Sequence, residues 1–113
     1  TDIKVFINRY DYLSIESGGI PNEFALHENY PNPFNPTTQI RFDLPEMSNV
    51  NLTIYNMLGQ RVKAFNMESA PAGYHALTWN ATNDLGSPVS AGVYLYQLQT
   101  KGFVKTKKMV LLK

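Results

Sequence analysis

Two histidines, nine carboxylates and no cysteine are the groups with which this 113-residue chain can do chemistry. Without a thiol there is no cysteine nucleophile, no thiolate zinc site and no disulfide framework. His27 and His75 stand far apart, and neither belongs to a His-Glu-x-x-His pair; a Gly-x-Ser-x-Gly elbow and a Gly-rich phosphate loop are also missing from the sequence. Acid–base catalysis would then fall to two carboxylates held together, but the acids are scattered and no aromatic cluster marks out a pair. His27 reads as the solvated start of a strand, His75 as part of a mixed face, and the acids as solvated surface charge. The chain is therefore expected not to be an enzyme, with no catalytic residue, no cofactor and no metal site assigned.

One segment resembles a calcium loop closely enough to test. In Asn80-Ala81-Thr82-Asn83-Asp84-Leu85-Gly86 the oxygens at positions 80, 82 and 84 are in step. The glycine falls one residue late, however, and no bidentate Glu follows, so the segment reads as a structural turn. Asn51-Leu52-Thr53 and Asn80-Ala81-Thr82 match the N-glycosylation sequon. Both fall on or beside predicted strands, and the pattern carries little information.

The elements that would position any site are strands. Thr38 to Leu44 sets Ile40, Phe42 and Leu44 on one face and Gln39, Arg41 and Asp43 on the other. Val50, Leu52 and Ile54 alternate in the same way after a turn containing Pro45, and the two strands either pair or face each other across a core. Asn56 to Gln60 is a turn in which Gly59 takes positive φ. Further strands are predicted over 61–66, 74–80, 93–100 and 103–112, with Lys101-Gly102 as a tight hairpin and a seventh strand within 24–30. Trp79, the sole tryptophan, is expected at the centre of the core. This spacing predicts an all-β, two-sheet antiparallel sandwich of about seven strands. Residues 22–113 form the domain. Residues 1–21, with the Ser17-Gly18-Gly19 joint, are expected to be the end of a preceding domain and a linker, or to supply an extra edge strand within 1–16; since the chain begins with Thr, it is expected to be a piece of a longer polypeptide.

Charge excludes some partners. Ten basic and nine acidic residues leave a formal +1, with no field to attract nucleic acid or an anionic membrane. No apolar run approaches the roughly 20 residues of a membrane span. The neutrality hides an asymmetry. Seven of the nine acids precede position 47, whereas Lys101, Lys105, Lys107, Lys108 and Lys113 close the chain with no acid among them. On the last strand Phe103, Lys105, Lys107, Met109 and Leu111 share one face, and Met109-Val110-Leu111-Leu112 is apolar on both, which predicts a buried C-terminus. Lysines on an outer strand also discourage edge-to-edge aggregation.

The segment Asn29-Tyr30-Pro31-Asn32-Pro33-Phe34-Asn35-Pro36-Thr37-Thr38 is the most informative. Its three prolines remove three backbone donors and push the residues before them toward extended conformations, giving a rigid lead-in with Tyr30 and Phe34 as anchors. The segment resembles the opening motif of the type A C-terminal sorting domain, or Por secretion tail, of the type IX secretion system of Bacteroidetes and related phyla. The resemblance continues through Ile54 to Val62, Gly73 to Trp79, Ser90 to Tyr96 and Thr106 to Lys113. Asn80-Ala81 departs from the family's usual Asp-Gly. More distantly, the pattern is similar to the immunoglobulin-like domain of the flagellar hook-capping protein.

The resemblance implies an immunoglobulin-like, non-catalytic module that directs an upstream cargo domain of the same polypeptide across the outer membrane. Its partner would be the secretion machinery there, and its destination the cell surface or the medium. Asn32, Pro33, Phe34, Asn35 and Pro36 together with Lys107, Lys108, Met109, Val110, Leu111, Leu112 and Lys113 are the expected recognition residues. The alternative is an immunoglobulin-like or fibronectin-like binding module that touches glycan or a neighbouring domain, with Tyr10, Tyr12, Tyr30, Tyr55, Tyr74, Tyr94 and Tyr96 as aromatic platforms.

Overall fold

The computed structural model describes residues 20–113. Among these residues seven strands follow one another: β1 (Ala25–Leu26), β2 (Thr38–Leu44), β3 (Ser48–Asn56), β4 (Arg61–Ala70), β5 (Gly73–Trp79), β6 (Gly92–Gln99) and β7 (Val104–Leu111). They form two antiparallel sheets, ordered β1-β2-β5 and β4-β3-β6-β7. The expected all-β sandwich is what the chain forms, and no helix occurs among the described residues.

The link from β2 to β3 crosses between the sheets. β2 pairs with β1 and β5, whereas β3 pairs with β4 and β6. The crossing lets the two apolar rows meet face to face: Ile40, Phe42 and Leu44 from β2 lie in one core with Val50, Leu52 and Ile54 from β3. By contrast, β3–β4 and β6–β7 are sequential antiparallel pairs. At the first turn Gly59 has φ +81° and donates to Asn56 O, while Asn56 Oδ1 accepts from the amides of Leu58 and Gln60. At the second, Thr100 N donates to Phe103 O around Lys101-Gly102.

Two element lengths differ from expectation. β4 continues to Ala70 because β3 offers partners as far as Ser48, so Ser69 and Ala70 belong to the strand rather than to the break after it. The seventh strand, expected within 24–30, is the two-residue β1, extended by a single bridge between Tyr30 and Gln39. The prolines that follow have no N–H with which to continue the ladder.

Trp79 is the largest fully buried side chain, as its size and uniqueness predicted. Its ring lies 5.8 Å from Phe34 and 5.5 Å, edge-on, from Tyr94, and its indole N–H donates to Thr82 O at 2.8 Å. Near the start of β6, Tyr94 OH reaches back to Ser90 O at 2.6 Å, the arrangement called a tyrosine corner in immunoglobulin-like sandwiches. The Asn80–Gly86 segment is a turn whose oxygens serve the protein itself. Asn83 Oδ1 accepts from Leu85 and Ser87, and the Asp84 carboxylate accepts from the Ala64 amide and from Arg61 Nε.

Candidate functional site

The two sequence segments expected to be recognised are joined by backbone hydrogen bonds. Among the described residues β7 is an edge strand that pairs with β6, and alternate residues turn their peptide groups outward. At Val110 and Leu112 those groups are taken by the Pro-rich lead-in. Phe34 N donates to Val110 O at 3.0 Å, Leu112 N donates to Phe34 O at 2.8 Å, and Val110 N donates to Asn32 Oδ1 at 3.0 Å. Phe34 and Leu111 thereby form a one-residue parallel bridge.

The lead-in can reach β7 because it is pinned at its start. Asn29, buried, donates from Nδ2 to Pro31 O and to Thr38 Oγ1, and Thr38 Oγ1 donates to the same Pro31 carbonyl at 2.8 Å. Tyr30 N and O both pair with Gln39. The segment therefore leaves the edge of the three-stranded sheet, crosses the open side of the sandwich and ends on the edge of the four-stranded sheet. Phe34 fills the seam, 2% exposed, beside Trp79. A shared barrier of this kind hides two edges that would otherwise invite pairing.

The expected recognition residues divide into two sets. Met109, Leu111 and Phe34 belong to the core, and Val110 is half-buried. Asn32, Pro33, Asn35, Pro36, Lys108, Leu112 and Lys113 are exposed. Lys107 is half-buried, with its ammonium 3.1 Å from Glu28. The buried C-terminus expected from the apolar run stops at Leu111. Leu112 is 50% exposed, since alternation along an edge strand turns it away from the sheet interior. Tyr30 is likewise not an anchor by its ring, which is 70% exposed; only its backbone is fixed. Asn29 and Thr38 do the pinning instead, and among the residue types only their hydrogen-bonding side chains within a proline-rich run hinted at it.

Four further expectations are corrected or refined. Asp43, expected on a solvated face, is buried, and His27 Nε2 donates to its Oδ2 at 2.9 Å. His27 is accordingly half-buried and not a solvated strand start. His75 stacks on Phe42 at 5.3 Å and donates from Nε2 to Pro71 O at 2.7 Å, a packing role consistent with its mixed face. Tyr96 and Tyr94 are buried, so burial pushes both phenols above their ordinary pKa. They are packing residues, whereas Tyr10 and Tyr12 lie outside the described residues.

Comparison with known proteins agrees with this fold. No curated protein matches the sequence closely enough to count as a relative. Among solved structures, latent PorU from Porphyromonas gingivalis is similar at a TM-score of 0.64 and 24% identity over 84% of this chain, which corresponds to 10% of that protein. PorZ of the same organism, described as an essential bacterial surface component of the type IX secretion system, is similar at a TM-score of 0.55 and 20% identity, over 79% of this chain and 12% of that one. This chain thus spans about a tenth of the length of both. FlgD from Pseudomonas aeruginosa is similar at a TM-score of 0.53 and 27% identity, over 66% of this chain and 57% of that one. The sequence model of the FlgD Ig-like domain matches residues 30–102. That match runs from the Pro-rich lead-in to the turn after β6, covers well over half of the chain, and shows that the chain belongs to the FlgD Ig-like domain family.

Proposed function

We propose that the domain is a non-catalytic sorting module that presents a folded surface to the outer-membrane machinery of type IX secretion. It would carry an upstream cargo domain of the same polypeptide to the cell surface or the medium. The observation that carries this reading is the junction of Asn32 and Phe34 with Val110 and Leu112. The two segments expected to be recognised form one hydrogen-bonded corner, on which Asn32, Asn35, Lys108, Leu112 and Lys113 are exposed. A short linear signal would need no such bonding to the remainder of a sandwich. The fold likeness to PorZ, a component of that secretion system, supports the same reading.

The test separates recognition from folding. Removing residues 108–113 would take Met109 and Leu111 out of the core, so a secretion defect could come from unfolding alone. Substituting the exposed residues instead, as Lys108→Glu, Leu112→Ser and Lys113→Glu together, leaves every buried side chain in place. Fused to a reporter in a host competent for type IX secretion, this variant is expected to keep its circular dichroism spectrum and remain in the periplasm. Normal surface delivery of the folded variant would refute the proposal.

A further inference from the structure

Two turns of the domain are built alike. Asn56-Met57-Leu58-Gly59-Gln60, between β3 and β4, and Asn83-Asp84-Leu85-Gly86-Ser87, after β5, share the order Asn-x-Leu-Gly with a polar residue in fifth place. In each, the glycine donates to the asparagine carbonyl, and the asparagine amide donates to the carbonyl of the fifth residue. The asparagine Oδ1 accepts from the leucine amide and from the amide of the fifth residue. The two glycines have φ of +81° and +85°. The turns are also joined: Asp84 N donates to Val62 O and its carboxylate accepts from Arg61, so the second turn is bonded to the strand that leaves the first.

The leucine side chains take no part in these bonds. Leu58 is 83% exposed and Leu85 is 90% exposed, with Met57 at 62%. A polar residue would serve the turn equally well at either place, since the position tolerates most side chains. The fold therefore presents the same apolar side chain to water twice, on neighbouring hydrogen-bonded supports, which marks a contact surface.

The surroundings select the partner. Asn56, Gln60, Asn83 and Ser87 are uncharged, and the Arg61–Asp84 ion pair between the turns cancels itself. The amides of Leu58, Gly59, Gln60, Leu85, Gly86 and Ser87 all donate within their own turn. Tips whose donors are satisfied internally can enter a medium that offers no acceptors. Three apolar side chains fall well short of the roughly 20–30 residues a side of a stable protein interface, so a second copy of the chain does not fit. A bilayer needs no matching surface, because it closes around protruding apolar groups, and zwitterionic headgroups suit a neutral rim.

We propose that the two turns form a membrane-contact site, with Met57, Leu58 and Leu85 entering the boundary between headgroups and acyl chains of a lipid surface. The contact works by apolar insertion and so needs no basic field, in keeping with the formal charge of +1. It involves none of the residues of the β7 corner and does not rest on the secretion reading.

The experiment mixes the full 113-residue chain with sucrose-loaded phosphatidylcholine vesicles and measures partition by sedimentation. Saturable partition is expected, unchanged when the salt concentration is raised. Leu58→Ser and Leu85→Ser should each lower the partition coefficient about fivefold or more, and the double variant should lose more than either. Both side chains are exposed, so the double variant should keep the circular dichroism spectrum and urea midpoint of the parent. Leu58→Met with Leu85→Met, which preserves apolar area, should hold partition within about twofold of the parent. The absence of saturable partition, or equal partition by the double serine variant, would overturn the proposal. Partition that requires added phosphatidylglycerol and disappears with salt would assign the contact to the lysines instead and overturn it too. A dimer seen by sedimentation velocity and lost in the double serine variant, without vesicle partition, would replace the bilayer by a second copy.

Discussion

Phe34 and Val110, from opposite ends of the domain, share a 3.0 Å backbone hydrogen bond that closes the side of the sandwich. Its companions, Leu112 to Phe34 and Val110 to Asn32, make the lead-in and the last strand one mechanical unit. The secretion reading depends on that unit, and so do two of the predictions below.

The Phe34 ring is 2% exposed and packs beside Trp79. Truncation to alanine leaves a void between rigid neighbours, so Phe34→Ala should cost about 3–5 kcal/mol. Urea unfolding should show a lower midpoint at unchanged slope, and Phe34→Leu should recover a large part of the loss.

Asn32 acts through one side-chain oxygen, at 3.0 Å from the Val110 amide in an exposed setting. Asn32→Ala should therefore cost only about 0.5–1.5 kcal/mol. Its signature is local: hydrogen exchange at Val110 should speed up, while amides at the centre of β3 keep their protection. Equal acceleration in both places would mean that Asn32 supports the whole fold and not the junction alone.

Tyr96 is buried and donates to His27 O at 2.7 Å, and its phenol is pushed above the ordinary value near 10, chiefly by desolvation. The folded protein therefore keeps the proton longer than the unfolded chain does. Tyr96 contributes stability that is complete below about pH 10 and is lost as pH rises toward its folded value. The thermal midpoint should fall above pH 10, and Tyr96→Phe should flatten that fall while losing the hydrogen bond at every pH. Tyr94, shifted in the same direction, leaves a smaller residual slope in the variant.

Asp84 lies on the surface, and its carboxyl is held below the ordinary range, first by the Ala64 amide and then by Arg61. Its contribution is present above the unfolded carboxyl pKa and fades as pH falls through the lower folded value. Asp84→Asn should thus narrow the stability difference from the parent protein in acid, measured by urea midpoints between about pH 2 and pH 5. A difference that stays constant across that range would assign Asp84 a purely geometric role.

Alternation along the chain was enough to specify which side chains meet. Ile40, Phe42, Leu44, Val50, Leu52, Ile54 and Trp79 follow from a period of two and from size, because burial of apolar area is non-directional and local pattern decides which face is apolar. Gly59 follows from turn chemistry, since only a residue without Cβ adopts its φ cheaply. The two segments expected to be recognised were also legible, as motifs. What pattern could not decide was which strands lie side by side, because β2 has the same apolar row whether β3 is its neighbour or its partner across the core. Tertiary structure alone also joined Asp43 and His27, expected on solvated positions, into a hydrogen-bonded pair in which Asp43 is buried and His27 half-buried. It likewise brought Phe34 onto Val110, a backbone contact between distant segments that depends on the path of the chain and leaves no periodic trace in the sequence.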